Sequence, residues 1–195
     1  MIKNIAQTLL QESAVLKNAL ANNTQFTECV VKAGELIKSA IQKGGTIYVC
    51  GNGGSTCDAM HFTEELVARF KRERKGIKAM HFSDAGVLTC WGNDYDYKSA
   101  FERYADTFCG PDDVLVGISS SGNSENVLHA LKRAKEKGCA SIGLVGKDGG
   151  RILKEAECSV NVLVDGCNDT ERIQEVHICV IHIWCEMVDT ARSPD

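Results

Sequence analysis

Hydrophobic residues in the first part of the chain recur at intervals of three and four, the spacing that places them on one face of an α-helix. This pattern covers two stretches that are separated near Asn22–Thr24, and Gly44 and Gly45 follow the second stretch. Threonine is a common residue at a helix N-cap, and glycine commonly follows a helix C-terminus. The pattern therefore predicts two helices within residues 1–44, with Thr24 as the cap of the second helix.

After residue 45 the pattern changes to short runs rich in β-branched residues, which alternate with helical stretches. Apolar strands that alternate with helices are typical of a parallel sheet covered by helices on both faces. No repeat, linker or low-complexity segment interrupts the chain. We therefore predict the α/β class: one domain over residues 1–195, whose core at 45–195 is a three-layer sandwich with a central five-stranded parallel sheet. The predicted strands are Thr46–Cys50, Lys78–Phe82, Asp113–Ser119, Ala140–Gly146 and Cys158–Val164.

The last predicted helix, from Thr170 to about Val188, has no clearly polar face. Apolar side chains such as Ile173, Val180 and Trp184 are distributed all round it. A helix with this pattern is expected to be buried on every side, which favours a place at a subunit interface.

The composition is mildly acidic and rich in cysteine. The 195 residues include 22 Lys and Arg against 26 Asp and Glu, which gives a formal net charge of −4. This balance argues against a protein whose main task is to bind nucleic acid through a global basic field. The 10 cysteines show no C-x-x-C spacing, so a zinc ribbon, a thioredoxin motif and an iron–sulfur cluster lose support.

The sequence also favours a cytoplasmic location without a membrane partner. The N-terminus has no basic region followed by an apolar run, and no stretch of about 18 consecutive apolar residues occurs. Reduced cysteines fit that compartment, where a free cysteine behaves as a small buried hydrophobe.

Two predicted strands lead into loops rich in glycine, asparagine and serine. Gly51–Ser55 follows the first strand and Ser119–Ser124 follows the third. Ligands of open parallel sheets bind beyond the carboxyl ends of strands, where helix N-termini offer free N–H groups to an anion. Any tight turn contains such residues, but two such loops in one sheet favour a ligand site. Neither loop matches a Walker A or a dinucleotide motif, so a sugar phosphate is favoured over a nucleotide.

A second group of polar residues suits acid–base chemistry or metal binding. His61 and Glu65 are four residues apart on the predicted helix after the first loop, so they share one face. Gln174 and His182 lie on the last helix, where their separation corresponds to about 12 Å. They can reach one ion only if their side chains converge or if different subunits contribute them. Taken singly, a His or Gln at an apolar position is usually a core residue with satisfied hydrogen bonds, and for His61 alone the two explanations are even.

Five motifs together are specific enough to indicate a family. They are CGNGGS at Cys50–Ser55, DAMHF-x-EEL at Asp58–Leu66, GND at Gly92–Asp94, GISSSGNSENV at Gly117–Val127 and RIQEVHI-x-VIH at Arg172–His182. In this order they resemble the phosphoheptose isomerases, a family of the sugar isomerase (SIS) domain superfamily, over nearly the whole chain. The resemblance implies a flavodoxin-like SIS domain whose N-terminal helices pack in a homotetramer, with active sites at the subunit interfaces.

The resemblance also implies an activity and the residues that support it. The family converts sedoheptulose 7-phosphate to D-glycero-D-manno-heptose 7-phosphate, the first step of ADP-heptose and lipopolysaccharide core heptose synthesis. One zinc ion per subunit is implied, with His61, Glu65, Gln174 and His182 as ligands. The implied substrate contacts are Asn52, Gly53, Gly54, Glu65, Asn93, Asp94, Ser119, Ser120, Ser121, Ser124 and Gln174. Ser55 is added from its place in the first loop, and Arg69 from a place one turn beyond Glu65.

Isomerisation of an aldose and a ketose needs a base beside the carbonyl carbon and an acid at the carbonyl oxygen. Our hypothesis gives Glu65 the role of base and His182 the role of acid. A metal ion would polarise the oxygens that carry the developing charge.

Two other functions compete with the enzyme. Some SIS-domain relatives are non-catalytic regulators that bind the replication initiator or sense a sugar phosphate, but their counterparts of Glu65 and His182 are typically neither acidic nor imidazole. Both residues are present here, so the enzyme is favoured. Nucleic-acid binding through the basic run Lys71–Lys75 is weakly supported, because such a run is more often the solvated end of a helix.

Overall fold

The computed structural model describes residues 2–190, and its five strands form one parallel sheet. The strands are β1 Ile47–Gly51, β2 Ala79–His81, β3 Val114–Ser119, β4 Ala140–Gly146 and β5 Val160–Val164. Their order is β2-β1-β3-β4-β5, and each neighbouring pair is parallel. The predicted α/β class and five-stranded parallel sheet are confirmed, and each strand lies within two residues of its predicted bounds.

Helices cover both faces of the sheet and complete the three layers. One hydrophobic core joins the sheet to α2, α3 and α8, and a second core joins it to α5, α6 and α7. In the part of the chain that is described, no helix combines the length and the apolarity needed to cross a membrane. The helices are α1 Ile2–Ala21, α2 Thr24–Gln42, α3 Gly54–Val67, α4 Ala85–Asp94, α5 Ala100–Phe108, α6 Glu125–Glu136, α7 Gly150–Glu155 and α8 Thr170–Thr190.

The N-terminal cap of α2 differs from the sequence prediction. The cap is Asn23, whose side-chain oxygen accepts a hydrogen bond from the backbone N–H of Phe26 at 3.1 Å. Asn23 has an extended backbone, with φ −90° and ψ 103°, so its short amide reaches over the first turn of the helix. Thr24 is already helical, and the prediction of Thr24 as the cap was wrong.

Helix α8 is the most buried of the long helices, and its burial within the chain is incomplete. Trp184 is fully buried, and its indole N–H donates to the carbonyl oxygen of Val30 on α2 at 3.0 Å. Ile183 on the same helix is 41% exposed, and α1 also leaves large apolar side chains such as Leu10 and Val15 at the surface. The chain therefore covers one side of α8 and leaves apolar surface on α8 and α1.

Candidate active site

The two polar loops predicted from the sequence lie side by side at one edge of the sheet. The chain passes from β1 to β2 on one side and then returns to β3 on the other side of β1, so the strand order reverses between β1 and β3. Ligands of open α/β sheets bind at such a reversal, beyond the carboxyl ends of the strands. The loop Gly51–Ser55 follows β1, and the loop Ser119–Ser124 runs from the end of β3 to α6.

The first loop turns sharply into α3. Gly53 has φ +55°, a left-handed conformation that glycine adopts without the strain that a side chain would cause. The hydroxyl of Thr56 donates to the carbonyl oxygen of Gly51 at 2.6 Å and fixes the turn. No side chain caps the N-terminus of α3, and Gly53 and Gly54 are exposed. The backbone N–H groups of Gly53 and Gly54 are therefore available to an anion, while Ser55 is buried and its N–H donates to the carbonyl oxygen of Asn52 at 3.0 Å.

The second loop collects serine hydroxyls. The Oγ atoms of Ser119 and Ser124 lie 3.0 Å apart, with Ser119 buried and Ser124 at the N-cap of α6. The hydroxyl of Ser121 accepts the backbone N–H of Asn123 at 3.2 Å, and Ser120 and Ser121 are both half-buried. This loop has the donors that a phosphate group requires.

A pair of asparagine side chains joins the two loops. Asn52 Nδ2 donates to Asn126 Oδ1 at 2.8 Å, and Asn126 Nδ2 donates to Asn52 Oδ1 at 2.9 Å. The hydroxyl of Tyr97 also donates to Asn52 Oδ1, at 2.8 Å. These bonds fix the amide of Asn52 and leave its second N–H for a ligand. The sequence reasoning missed Asn126 and Tyr97, although Asn126 lies within one of the quoted motifs.

Three residues proposed for catalysis and metal binding converge beyond the loops. His61 Nε2 lies 3.1 Å from Glu65 Oε1 and 3.4 Å from His182 Nε2. One ligand atom from each of the three lies within 4.8 Å of those from the other two. The side chain of His61 is 42% exposed and that of Glu65 is 15% exposed, so the cluster is open on one side.

This cluster fits a divalent cation by its donor set. Two imidazole nitrogens and one carboxylate oxygen are ligands that zinc accepts, and three protein ligands with one open position are typical of catalytic zinc sites. The Nε2 atoms of His61 and His182 face each other at 3.4 Å. At this distance their lone pairs require either a proton in a hydrogen bond between them or a cation that both bind.

The side chain of Gln174, on α8, packs against the beginning of α3. A Cβ atom placed on Gly54 would lie 2.3 Å from Gln174 Nε2, so the amide packs directly on that glycine. Gly54 is seven residues before His61, which is two helical turns. Within residues 2–190 the side chain of Gln174 forms no hydrogen bond, so it is available to a ligand between the loops and the cluster.

Three other predicted contacts lie at the surface. Asn93 and Asp94, at the end of α4, are exposed and bond to each other, Nδ2 to Oδ1, at 2.8 Å. Arg69 was expected one turn beyond Glu65 on a continuous helix, but α3 ends at Val67. Arg69 therefore lies in the segment after the helix, where its guanidinium pairs with Glu73 at 3.5 Å, and its contact with the substrate stays a prediction.

Asp58 is an additional ionisable group beside the cluster. It lies one turn before His61 on α3, and its Oδ2 is buried without a hydrogen-bond partner among residues 2–190. Burial raises the pKa of Asp58 to about 6, while the nearby His61 acts in the opposite direction. A carboxyl group with such a pKa changes charge near neutral pH.

Comparison with known proteins points to one family. The family model for the SIS domain matches residues 11–146. A phosphoheptose isomerase of Cytophaga hutchinsonii is 48% identical over 190 residues, which cover 97% of this chain and 98% of that protein. The structure of phosphoheptose isomerase GmhA from Neisseria gonorrhoeae has a TM-score of 0.90 at 35% identity and matches 97% of this chain and 100% of that chain. NanR of Vibrio vulnificus, complexed with ManNAc-6P, is 14% identical with a TM-score of 0.69 over 96% of this chain and 62% of that chain, a likeness of fold alone.

Proposed function

Because the chain belongs to the phosphoheptose isomerase family and is an aldose–ketose isomerase, we propose that it converts sedoheptulose 7-phosphate to D-glycero-D-manno-heptose 7-phosphate. The reaction would be the first step of ADP-heptose and lipopolysaccharide core heptose synthesis, in the cytoplasm. The observation that carries the proposal is the convergence of His61, Glu65 and His182 near two loops suited to a phosphate.

The loops after β1 and β3 would hold the sugar phosphate. Serine hydroxyls of Ser119–Ser124 and the N–H groups at the start of α3 and α6 surround the phosphate oxygens, and the free N–H of Asn52 donates to a sugar hydroxyl. Binding at these groups is remote from the reacting carbons, so its free energy orients the substrate for proton transfer.

Glu65 and His182 would move the protons, and because a carboxylate or an imidazole bound to zinc is a poor proton carrier, both would exchange off the ion during turnover. The Glu65 carboxylate removes a proton from carbon 1, beside the carbonyl at carbon 2, while His182 gives a proton to the carbonyl oxygen. The product of this step is an enediol. Return of a proton to carbon 2 and loss of the proton on oxygen 1 then give the aldehyde.

We propose one zinc ion per subunit, held by His61, Glu65 and His182. Gln174 lies two helical turns away against Gly54, so it would become the fourth ligand only if its side chain moves or if another subunit contributes it. When bound, the ion supplies positive charge to the substrate oxygens on which negative charge develops. A mixed set of nitrogen and oxygen donors also accepts other divalent ions, so a chelator and a set of metals belong in the assay.

We also propose a homotetramer with active sites at subunit interfaces. An apolar cavity of about 300 Å³ opens between α1, α2 and α8, with Phe26, Val31 and Ile183 among its walls. Val31 is 51% exposed and Ile183 is 41% exposed, and such apolar surface favours a covered position in an assembly.

The test is turnover of sedoheptulose 7-phosphate by the purified chain, followed by NMR, with and without chelator. We expect Glu65→Gln and His182→Gln to lower kcat at least 100-fold, the size of one acid–base contribution. Glu64→Gln is the matched control, because Glu64 is an exposed neighbour on the same helix.

Near wild-type turnover in either variant would contradict the role of that residue. Absence of turnover in metal-supplemented wild-type protein, together with tight binding of the sugar phosphate, would instead support a non-catalytic regulator.

A further inference from the structure

Residues 68–76, which follow α3 and lead towards β2, contain the basic run Lys71–Lys75, and we call them the clamp segment. Lys71 and Arg72 pair at the surface with Glu186 of α8, at 2.6 and 3.6 Å. Arg74 differs from them, because its side chain is only 6% exposed. The interpretation of the whole run as a solvated helix end is therefore wrong for Arg74.

The clamp segment folds around one buried carboxylate on α8. The side chain of Asp189 has no exposed surface. Its Oδ2 accepts the backbone N–H groups of Lys71 and Arg72 at 3.0 and 3.1 Å, and its Oδ1 accepts Arg74 Nε at 2.8 Å. Charged hydrogen bonds to a buried carboxylate are strong and directional, so they fix the backbone of the segment.

Arg74 uses its other donors on the end of the helix that carries Glu65. Its Nη2 donates to the carbonyl oxygen of Glu65 at 2.7 Å, and its Nη1 donates to that of Leu66 at 2.9 Å. The last carbonyl groups of a helix lack partners within the helix. One guanidinium therefore ties the backbone of Glu65 to Asp189, which lies seven residues beyond His182 on α8.

The clamp segment also places an aromatic ring on His182. The ring of Phe70 stacks on the imidazole, with centroids 5.8 Å apart and an angle of 24° between the planes. Phe70 directly precedes the two backbone N–H groups that Asp189 accepts. The same carboxylate thus fixes the residue that confines the imidazole of His182.

We propose that Arg74, Asp189 and Phe70 are positioning residues, which together set the distance and orientation of Glu65 and His182. This inference rests on the proposed function, because it assigns the clamp segment to that same site. Arg74 holds the backbone at Glu65, Phe70 limits rotation of the His182 ring, and Asp189 connects the two.

Arg74→Lys tests the inference while it keeps the positive charge beside Asp189. A lysine ammonium cannot reproduce the planar fork that reaches Asp189, Glu65 and Leu66 at once. We expect kcat to fall about tenfold or more, with KM for the sugar phosphate changed less than about threefold, because the phosphate loops are untouched. Affinity for Co²⁺, measured by its absorption spectrum in the full chain, should fall about tenfold as well.

Phe70→Leu keeps an apolar side chain and removes only the stacked ring. It should lower kcat and Co²⁺ affinity in the same direction, and it decides the test if Arg74→Lys fails to fold. Arg72→Lys is the matched control, since Arg72 is exposed and gives Asp189 only a backbone N–H. We expect wild-type values for this variant.

Folded Arg74→Lys and Phe70→Leu proteins with kcat and Co²⁺ affinity within twofold of wild type would overturn the inference and leave the clamp a purely structural role. If wild-type protein binds Co²⁺ but lacks turnover, the proposed function fails while Co²⁺ affinity still decides this inference. A wild-type protein with neither property would overturn both.

Discussion

His177 shows how a single buried residue can couple stability to pH. It lies on α8 with no exposed surface, and neither of its ring nitrogens has a hydrogen-bond partner among residues 2–190. Burial lowers the pKa of His177 to about 4, with a smaller opposing effect from the backbone of Val145. The imidazole is therefore neutral in the folded protein at neutral pH.

The sign of the pH effect follows from proton counts. Between pH 6.5 and about 4 the unfolded chain protonates His177 and the folded protein does not, so stability falls as pH falls through this range. The shift in the pKa of His177 from 6.5 to about 4 corresponds to about 3 kcal/mol in the free energy of unfolding. We expect His177→Phe to lose this part of the pH dependence of the unfolding free energy, measured by urea titration at several pH values. Parallel curves for the variant and the wild type would contradict the assignment.

The reciprocal pair of Asn52 and Asn126 illustrates what a sequence pattern omits at the scale of a residue. Asn52 could be assigned from its loop, whereas Asn126 lies inside α6 among helix-forming neighbours. Its role depends on a contact between residues 74 positions apart. A local pattern contains no information on such a contact, because it exists only when β1 and β3 are paired.

At the scale of elements, two parallel helices bring the site together. Near their N-termini Gln174 of α8 packs on Gly54 of α3, and two turns later His182 meets His61. Both helices begin at the carboxyl edge of the sheet, so their side chains meet in register. The loops thus lie near the N-termini of α3 and α8, and the cluster of His61, Glu65 and His182 lies two turns further along the same two helices.

Gly54→Ala should disturb this helix pair at one defined point. A Cβ there would lie 2.3 Å from Gln174 Nε2 and would displace the amide, whereas the helical position itself accepts alanine. We expect thermal stability close to wild type and about a tenfold higher KM for the sugar phosphate, the loss of roughly one charged hydrogen bond.

A double-mutant cycle identifies the displaced group. If the effect of Gly54→Ala acts through Gln174, the variant Gly54→Ala/Gln174→Ala will have the KM of Gln174→Ala alone. Additive effects of the two substitutions would show that the alanine acts elsewhere, for example on the backbone N–H groups of the first loop.

The sequence predicts the elements of this fold better than their ends. Short β-branched runs located four of the five strands, because apolar strands leave a continuous signal. The signal at Lys78–Phe82 was weaker, and the strand found there, β2, is short and half-buried. The end of α3 could not be predicted, since Arg74 and Asp189 stabilise it across 115 positions of sequence. For that reason the sequence did not show that Arg69 lies beyond the end of α3. The pattern of His61, Glu65 and His182 indicated their chemistry but not that they meet within one chain.

At the scale of the whole molecule, the apolar surface of α1, α2 and α8 is the feature that one chain leaves unexplained. The cavity of about 300 Å³ between these helices is open to exposed Val31 and Ile183. The opposite side of the sheet offers a comparison, because Leu153 on α7 is also exposed, at 37%. If subunits associate through α1, α2 and α8, a charge introduced on that surface should weaken the assembly, whereas a charge introduced at Leu153 should not.

Val31→Asp should therefore dissociate the proposed homotetramer, since a carboxylate in a covered apolar interface loses its hydration. Light scattering coupled to size-exclusion chromatography would show smaller particles, and turnover would fall if active sites lie between subunits. Leu153→Asp is the control and should keep the wild-type mass. An unchanged mass for Val31→Asp would exclude this surface from the interface.

The parallel pairing of α3 and α8 has a consequence for the order in which a newly made chain gains its parts. Both phosphate loops and the first four strands are complete once Gly146 has been synthesised, but His182 follows more than thirty residues later. A growing chain thus contains the two loops that we propose bind the phosphate well before it contains all three groups of the proposed reaction. Only when the final helix packs on α2 and α3 does His182 meet His61 and Glu65, so the proposed reaction site is the last part of the fold to be completed.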